Sequence, residues 1–218
     1  MIDLHTHTFL SDGVLVPAEL AQRASVSGYR VLGITDHVDP GTLRLTLETT
    51  LRSCSSILNQ LSLHIVPGVE ITHVPPALIA ETARNARGLG ARIVLVHGES
   101  IVEPVPEGTN RAAVESDIDL LAHPGVIDRE TIIRAAERGI YLEISARAGH
   151  SLGNGRLVAL ARGVGALEFL VVSSDAHAPG ELLTGAYRRA VCLGAGLTQA
   201  ETDRVERNAE ALWKKVST

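Results

Sequence analysis

The chain has 218 residues and a formal net charge of −5, and 45% of its residues are hydrophobic whereas 3% are aromatic. This length suits a single domain over residues 1–218, and the apolar content excludes a disordered chain. The negative charge and the few aromatic side chains argue against a nucleic-acid partner, because nonspecific binding needs a basic surface and stacking groups.

The sequence also bears on the cellular compartment. No apolar run approaches the roughly 18 to 20 residues that cross a bilayer, and a cleaved signal peptide would remove two N-terminal histidines. We therefore expect a cytoplasmic protein with no membrane contact. Cys54 and Cys192 lie in separate predicted helices and outside any zinc pattern. A disulfide is the alternative, but the cytosol favours reduced cysteines that pack in the core.

Short apolar runs alternate with helix-length amphipathic segments along the whole chain, which is typical of repeated βα units around a parallel sheet. Seven runs predict strands: Ile2–His5, Val31–Thr35, His64–Glu70, Arg92–Val96, Ile118–Ala122, Ile140–Ile144 and Glu168–Val172. Most of them are continuously apolar, as expected for strands that are covered on both faces. The sequence therefore predicts an α/β fold.

Helix ends are marked by a few residues. Pro17 suits the first turn of a helix that runs through Ser25. Asp128 opens a helix that ends before Gly139. The last predicted helix runs from about Gln199 to Val216.

Each predicted strand is followed by a histidine or a carboxylate. These residues are His5, His7, Asp36, His37, Glu70, His97, His123, Glu143, Asp175 and His177. Because the C-terminal ends of parallel strands meet at one rim of a barrel, we expect these side chains to lie together there.

The chemistry of this set indicates a metal. A single histidine after a strand is more often a core or turn residue than a ligand, but six of the nine histidines follow the strand ends. They are accompanied by Asp12, Glu70 and Asp175. Histidine plus carboxylate without cysteine suits Mn, Fe or Zn better than Ca or Mg. The sequence predicts a multinuclear transition-metal site.

Several short motifs resemble those of the PHP (polymerase and histidinol phosphatase) superfamily. They are Asp3-Leu4-His5-Thr6-His7, Ser11-Asp12-Gly13, Ile34-Thr35-Asp36-His37, Gly68-Val69-Glu70, Val96-His97-Gly98, Leu121-Ala122-His123-Pro124 and Ser173-Ser174-Asp175-Ala176-His177. The resemblance implies a distorted, TIM-like (β/α)7 barrel that holds two or three divalent metals. It also implies phosphoester hydrolysis.

The resemblance further implies how the ligands are divided. One metal would be held by His5, His7, Glu70 and Asp175. A second would be held by His97 and His123 together with Glu70, which would bridge the two metals. A third would be held by Asp12, His37 and His177. Asp12 stands where some relatives have histidine. A hydroxide that bridges two metals would be the nucleophile, and we expect Glu70, Asp175, His177 and Arg147 to take direct part in the reaction.

Other residues are candidates for supporting roles. Asp3 and Asp36 each lie close to a predicted ligand histidine and are expected to orient a ring, and for Asp36 capping of a turn is an equal alternative. Glu143 is expected to orient Arg147 or a water molecule. His73 is expected to line the pocket.

Phosphate recognition should need a guanidinium, since no lysine is near the predicted rim. Arg147 is the first candidate, with a plain surface arginine as the alternative. His150 is expected either to contact substrate or protonate the leaving group, or to be a loop residue. Arg111, in the predicted lid loop Gly98–Ser116, is a further candidate for substrate binding.

Three functions fit these observations. The first is a phosphatase that acts on a small phosphorylated metabolite, as a phosphomonoesterase similar to histidinol phosphatase. The second is a phosphodiesterase or nuclease of the PHP type. The third is a noncatalytic scaffold like the PHP-like subunits of ribonuclease P, although such members lose ligands and this chain retains all nine.

Overall fold

The computed structural model describes residues 1–56 and 61–217. The described strands are β1 (Ile2–Asp3), β2 (Val31–Ile34), β3 (His37–Val38), β4 (His64–Ile71), β5 (Ile93–His97), β6 (Leu120–Ala122), β7 (Tyr141–Ser145) and β8 (Leu170–Ser173). The α-helices are α1 (Pro17–Val26), α2 (Leu43–Ser56), α3 (Pro76–Gly88), α4 (Thr109–Val114), α5 (Arg129–Glu137), α6 (Asn154–Val164), α7 (Gly185–Gly194) and α8 (Gln199–Ser217).

All seven predicted runs contribute strands to one parallel sheet in the order β1-β2-β4-β5-β6-β7-β8. The short β3 continues β2 along β4 in the same register, because Ile34 pairs with Pro67 and His37 with Glu70. A parallel bridge between Thr6 and Ala176 joins the two ends of the sheet. The chain therefore forms a nearly closed (β/α)7 barrel, which confirms the predicted fold.

Alternation along the strands divides the core into an inner and an outer part. Ile93 and Leu95 of β5 belong to a buried cluster that also includes Leu212 of α8. Val94 and Val96, between and beyond them, pack in the larger cluster that holds the buried faces of the surrounding helices. The strands are covered on both sides, as their apolar runs predict.

Helix α8 lies across the N-terminal ends of the strands. The Asn208 side chain donates to the carbonyl oxygen of Leu170 at the start of β8 (2.7 Å). Lys215 donates to the carbonyl oxygen of Gly139, just before β7 (3.0 Å). One end of the barrel is thus closed by the C-terminal helix, and the C-terminal ends of the strands are at the opposite end.

The helix boundaries agree with the signals in the sequence. Asp128 caps α5 by accepting a hydrogen bond from the backbone N–H of Thr131 (2.7 Å), and Gly139 follows α5 with a φ of 65°. The predicted loop Gly98–Ser116 is shorter than expected because it contains α4.

The two cysteines are free thiols. Among the described residues, none of the helices has both the length and the apolar content that crossing a bilayer requires.

Candidate metal centre

The C-terminal end of the barrel brings all nine predicted ligands into one cluster of imidazoles and carboxylates. At its base, Nε2 of His5 lies 3.3 Å from Oε2 of Glu70, and Nε2 of His7 lies 3.2 Å from Oδ1 of Asp175. The two imidazole Nε2 atoms are 2.9 Å apart. These four side chains are almost completely buried.

The carboxylates of this group face imidazole nitrogens, with Oε2 of Glu70 lying 2.8 Å from Nδ1 of His37, but the geometry of these contacts is poor for hydrogen bonds. Both oxygens of Glu70 and Oδ1 of Asp175 are buried and lie in no well-formed hydrogen bond among the described residues. Leaving a buried carboxylate unpaired is costly, unless a cation compensates it. The donor set of imidazole nitrogens and carboxylate oxygens therefore fits divalent transition metals.

The spacing of the atoms supports the same interpretation. Ligand atoms that each lie about 2.0 to 2.2 Å from one shared ion, at tetrahedral or octahedral angles, are separated by roughly 2.9 to 3.5 Å. The distances from His5 to Glu70 and from His7 to Asp175, 3.3 and 3.2 Å, fall within that interval. The ligand atoms are spaced as the corners of coordination polyhedra would be.

A second group lies beside the first and contains Asp12, His37 and His177. Oδ1 of Asp12 is 3.1 Å from Nε2 of His177 and 3.5 Å from Nε2 of His37. The loop that carries Asp12 passes close to His7, because a Cβ on Gly13 would lie 2.6 Å from the His7 carbonyl oxygen. This close approach requires glycine at that position.

The third group differs from the expected arrangement. His123 lies 3.4 Å from Oε1 of Glu70, as expected. His97 faces a different carboxylate, since its Nε2 is 3.1 Å from Oε2 of Glu103. His97 and His123 also converge with His150. Glu103 and His150 therefore join a group for which the family resemblance names only Glu70, His97 and His123.

Several rings are held by hydrogen bonds at Nδ1. His5 Nδ1 lies 2.8 Å from Oε1 of Glu143, and His97 Nδ1 lies 3.0 Å from the carbonyl oxygen of Gly98. When Nδ1 donates, Nε2 of a neutral ring keeps its lone pair for a metal. These contacts point the Nε2 lone pairs into the cluster.

Two expectations about supporting residues are wrong. Among the described residues Glu143 forms no hydrogen bond with Arg147, and its carboxylate instead accepts from His5 (2.8 Å) and from the backbone N–H of His123 (3.0 Å). Asp3 does not orient a ring, because it accepts hydrogen bonds from the backbone N–H groups of Ser174 (3.1 Å) and His5 (3.3 Å). Glu143 has the role that was expected of Asp3.

Asp36 holds the loop that follows β1. Its carboxylate accepts hydrogen bonds from the N–H of Thr8 (2.7 Å), the hydroxyl of Thr8 (2.8 Å) and the hydroxyl of Ser11 (2.8 Å). These contacts match the turn-capping alternative. They fix the loop that presents Asp12 to the cluster.

The electrostatics of the cluster follow from burial and from the neighbouring charges. Burial alone would raise the pKa of Glu70, but the imidazoles of His5 and His37 outweigh it and hold that pKa well below its ordinary value. Burial raises the pKa of Asp175 to about 6. Burial and the nearby imidazole of His123 lower the pKa of His150 to about 4. A neutral imidazole such as His150 is the form that binds metals.

The backbone is strained at the cluster. Among the residues that the structure describes, three other than glycine have positive φ values, namely His73 (53°), His123 (25°) and Asp175 (52°). Such conformations cost on the order of 1 to 3 kcal/mol each and persist where the surrounding structure holds them. Two of the three are predicted ligands, so the strain coincides with the candidate site.

Two of the predicted substrate residues lie at the mouth of the cluster. Arg147 and His150 line a cavity of about 190 Å³ together with the ligands Asp12, His97 and His177. Arg147 donates through Nη1 to the carbonyl oxygen of Asp175 and to the carboxylate of Glu181, at 3.2 Å each.

Arg111 is in a different place from the one predicted. It lies in α4 and lines a separate cavity with Glu115, Asp128 and Arg134. The structure does not place Arg111 at the metal cluster, because the segment that was predicted as a lid forms a helix there.

The sequence did not single out Glu103 or Glu181. Glu103 follows β5 in the loop that also carries Glu99 and Glu107, and nothing in the spacing separates the three. Glu181 accepts from the backbone N–H of His177 (2.6 Å) and so positions a predicted ligand.

Comparison with known proteins shows a relative that is similar along nearly the whole chain. No family model matches the sequence. The uncharacterized protein MJ1295 of Methanocaldococcus jannaschii is 44% identical over 203 residues, which are 92% of this chain and 92% of that protein. The 5'-3' exoribonuclease Rnm of Salmonella typhimurium is 40% identical over 72 residues, which are 33% of this chain and only 22% of that enzyme.

Solved structures share the fold at low sequence identity. An enamidase of the amidohydrolase superfamily has a TM-score of 0.66 at 14% identity, over 98% of this chain and 67% of that chain. The protein hisK of Listeria monocytogenes, assigned as a histidinol phosphatase, has a TM-score of 0.60 at 13% identity, over 85% of this chain and 98% of that chain. At such identities the likeness establishes a common barrel fold.

Proposed function

We propose that this chain, which belongs to the same family as the uncharacterized protein MJ1295, is a metal-dependent hydrolase of phosphoesters of the PHP type. The observation that carries the proposal is the set of buried oxygens of Glu70 and Asp175 that lack a well-formed hydrogen bond among the described residues and face imidazole nitrogens at ligand spacing. A metal centre of this composition is common to hydrolases that activate water.

The residues would divide among two or three divalent cations, with Mn, Fe or Zn preferred. One cation would be held by His5, His7, Glu70 and Asp175. A second would be held by Glu70, His97 and His123, and a third by Asp12, His37 and His177. When bound, such cations acidify a water molecule and neutralise charge on a phosphoryl group.

The protein's own side chains would do the remaining work. Glu143 fixes the ring of His5 by accepting from Nδ1, and Glu181 holds both Arg147 and the backbone of His177. Arg147 is thereby positioned at the mouth of the cavity, where a guanidinium would bind phosphoryl oxygens. His150 is neutral at pH 7, given its lowered pKa of about 4, so it would contact the substrate as a hydrogen-bonding group.

A small phosphomonoester is the first substrate class. The cavity of about 190 Å³ at the cluster suits a phosphoryl group with a small leaving group, and the net charge of −5 disfavours a polymeric nucleic acid. A phosphodiesterase or exonuclease is the second candidate, since a third of the chain is similar to the exoribonuclease Rnm.

The test is a turnover assay with protein loaded separately with Mn, Fe or Zn. A panel of small phosphomonoesters, phosphodiesters and short RNA oligonucleotides would be compared with chelator-treated protein. Metal-dependent release of phosphate from monoesters supports the first candidate, and cleavage of diesters or RNA supports the second. Bound metal without turnover of any substrate would overturn both enzymatic candidates and favour a noncatalytic scaffold.

A further inference from the structure

Glu103 places its carboxylate among three imidazoles at the mouth of the barrel. Oε2 lies 3.1 Å from Nε2 of His97 and 3.2 Å from Nε2 of His73. Oε1 lies 3.3 Å from Nε2 of His150. One carboxylate thus faces the same ring atom, Nε2, of histidines that lie at or beyond the ends of three different strands.

The loop that carries Glu103 is anchored on both sides. The backbone N–H of Glu99 donates to the side-chain oxygen of Asn110 (3.0 Å), and the amide of Asn110 donates to the carbonyl oxygen of Pro124 (2.8 Å). The hydroxyl of Ser100 lies 2.6 Å from Nδ1 of His150. These contacts direct Glu103 towards the imidazoles.

Oε2 of Glu103 and Nε2 of His97 lie so close together that a positive charge is needed between them. Nδ1 of His97 lies 3.0 Å from the carbonyl oxygen of Gly98, and this contact is favourable when Nδ1 carries the proton. Nε2 of a neutral His97 then carries a lone pair, which faces a carboxylate oxygen at 3.1 Å. Two lone pairs at that distance repel, unless a proton or a metal ion lies between them.

A metal ion satisfies the other contacts as well. The distances of 3.1 and 3.2 Å from Oε2 of Glu103 to His97 and His73 match the roughly 2.9 to 3.5 Å that separates two ligands of one transition metal. His97, His73 and Glu103 together offer two nitrogens and one oxygen within reach of a single ion.

We propose that Glu103 and His73 are additional ligands of the metal ion held by His97. This inference rests on the proposed metal centre and adds two residues that the family resemblance does not name. Metal binding would hold the loop of residues 98–108 in place at the C-terminal end of the barrel, because Glu103 would connect that loop directly to the ion. Occupancy of this position and closure of the loop would then depend on each other.

Hydrogen exchange measured with and without Zn tests the coupling. In the unmodified protein, Zn should slow amide exchange in residues 101–107. Glu103→Gln should lose this protection and should bind metal at least about 10- to 100-fold more weakly at one site, since that range holds for groups that only support a ligand. His73→Ala should weaken binding at the same site.

Two matched controls share the local setting. Glu107→Gln changes an exposed carboxylate in the same loop, and His64→Ala changes an exposed histidine at the other end of β4. Both should keep the metal affinity and the protection of the unmodified protein.

If Glu103→Gln keeps the affinity and the protection, the proposal is overturned. This outcome is separate from a failure of the proposed function, which would appear as absent turnover while the Zn-dependent protection and its loss in Glu103→Gln remain.

Discussion

Nδ1 of His5 donates a hydrogen bond to the carboxylate of Glu143 over 2.8 Å, and both side chains are fully buried. The contact links β7 to the first segment of the chain across the barrel. It sets both the orientation and the protonation of a ring at the base of the cluster.

We expect Glu143→Gln to weaken metal binding. A neutral amide accepts a weaker hydrogen bond than a carboxylate and supports the basicity of the His5 ring less, so the affinity should fall by about 10- to 100-fold. Competition with a chromogenic chelator measures the change. Glu168→Gln, an exposed carboxylate at the opposite end of the barrel, is the control and should behave as the unmodified protein. Equal affinities in the two variants would remove Glu143 from the site.

We expect Arg147→Ala to raise KM more than it lowers kcat. Hydrogen bonds to charged groups contribute about 1.5 to 3 kcal/mol, so a loss of roughly tenfold or more in kcat/KM should follow. Arg147→Lys should not restore the value, because an ammonium lacks the planar fork of the guanidinium. Arg111→Ala is the matched control, since Arg111 lines a separate cavity. An effect of Arg111→Ala as large as that of Arg147→Ala would contradict this assignment.

We expect chelation to lower the melting temperature. A ligand present at about 100 times its Kd stabilises the native state by about 2.7 kcal/mol per site, which corresponds to a shift of several degrees for a chain of this size. Thermal unfolding with EDTA and with excess Zn measures the difference. Asp175→Asn should show a smaller difference between the two conditions, and an undiminished difference would place the stabilising metal elsewhere.

We expect Asp12→Ala to lose metal from the group with His37 and His177. Asp12→His should retain it, because an imidazole replaces one metal ligand by another. Elemental analysis after gel filtration gives the number of ions per chain. If Asp12→Ala retains every ion, then Asp12 is an exposed loop carboxylate rather than a ligand.

We expect His123→Ala to abolish hydrolysis while leaving the fold largely intact. His123 lies 3.4 Å from Oε1 of Glu70, so its loss removes a ligand from the cluster, whereas the strands that hold the barrel together are unchanged. Circular dichroism checks the fold and the turnover assay checks the activity. Full activity in a folded His123→Ala variant would remove the residue from the assignment.

The sequence predicts the cluster because of one geometric rule. In a parallel barrel the C-terminal ends of the strands share a rim, so residues as far apart along the chain as His5 and Asp175 are expected to lie together. Glu103 could not be chosen in this way. It follows β5 by several residues, and only the packing of its loop beside His150 distinguishes it from Glu99 and Glu107.

The wrong expectations have a similar physical origin. The position of Arg111 along the chain suggests the mouth of the barrel, but α4 carries this residue to a separate cavity. Glu143 and Arg147 are close in sequence, whereas the partners of Glu143, His5 and His123, follow other strands. Contacts between side chains of distant strands depend on register and rotamer, which local sequence patterns do not encode.

The most direct test of the account is an anomalous diffraction measurement on crystals grown with Zn or Mn. We predict anomalous peaks about 2.0 to 2.2 Å from Nε2 of His5 and His7 and from carboxylate oxygens of Glu70 and Asp175. Absence of any peak among these side chains, in crystals that contain the metal, would contradict the account.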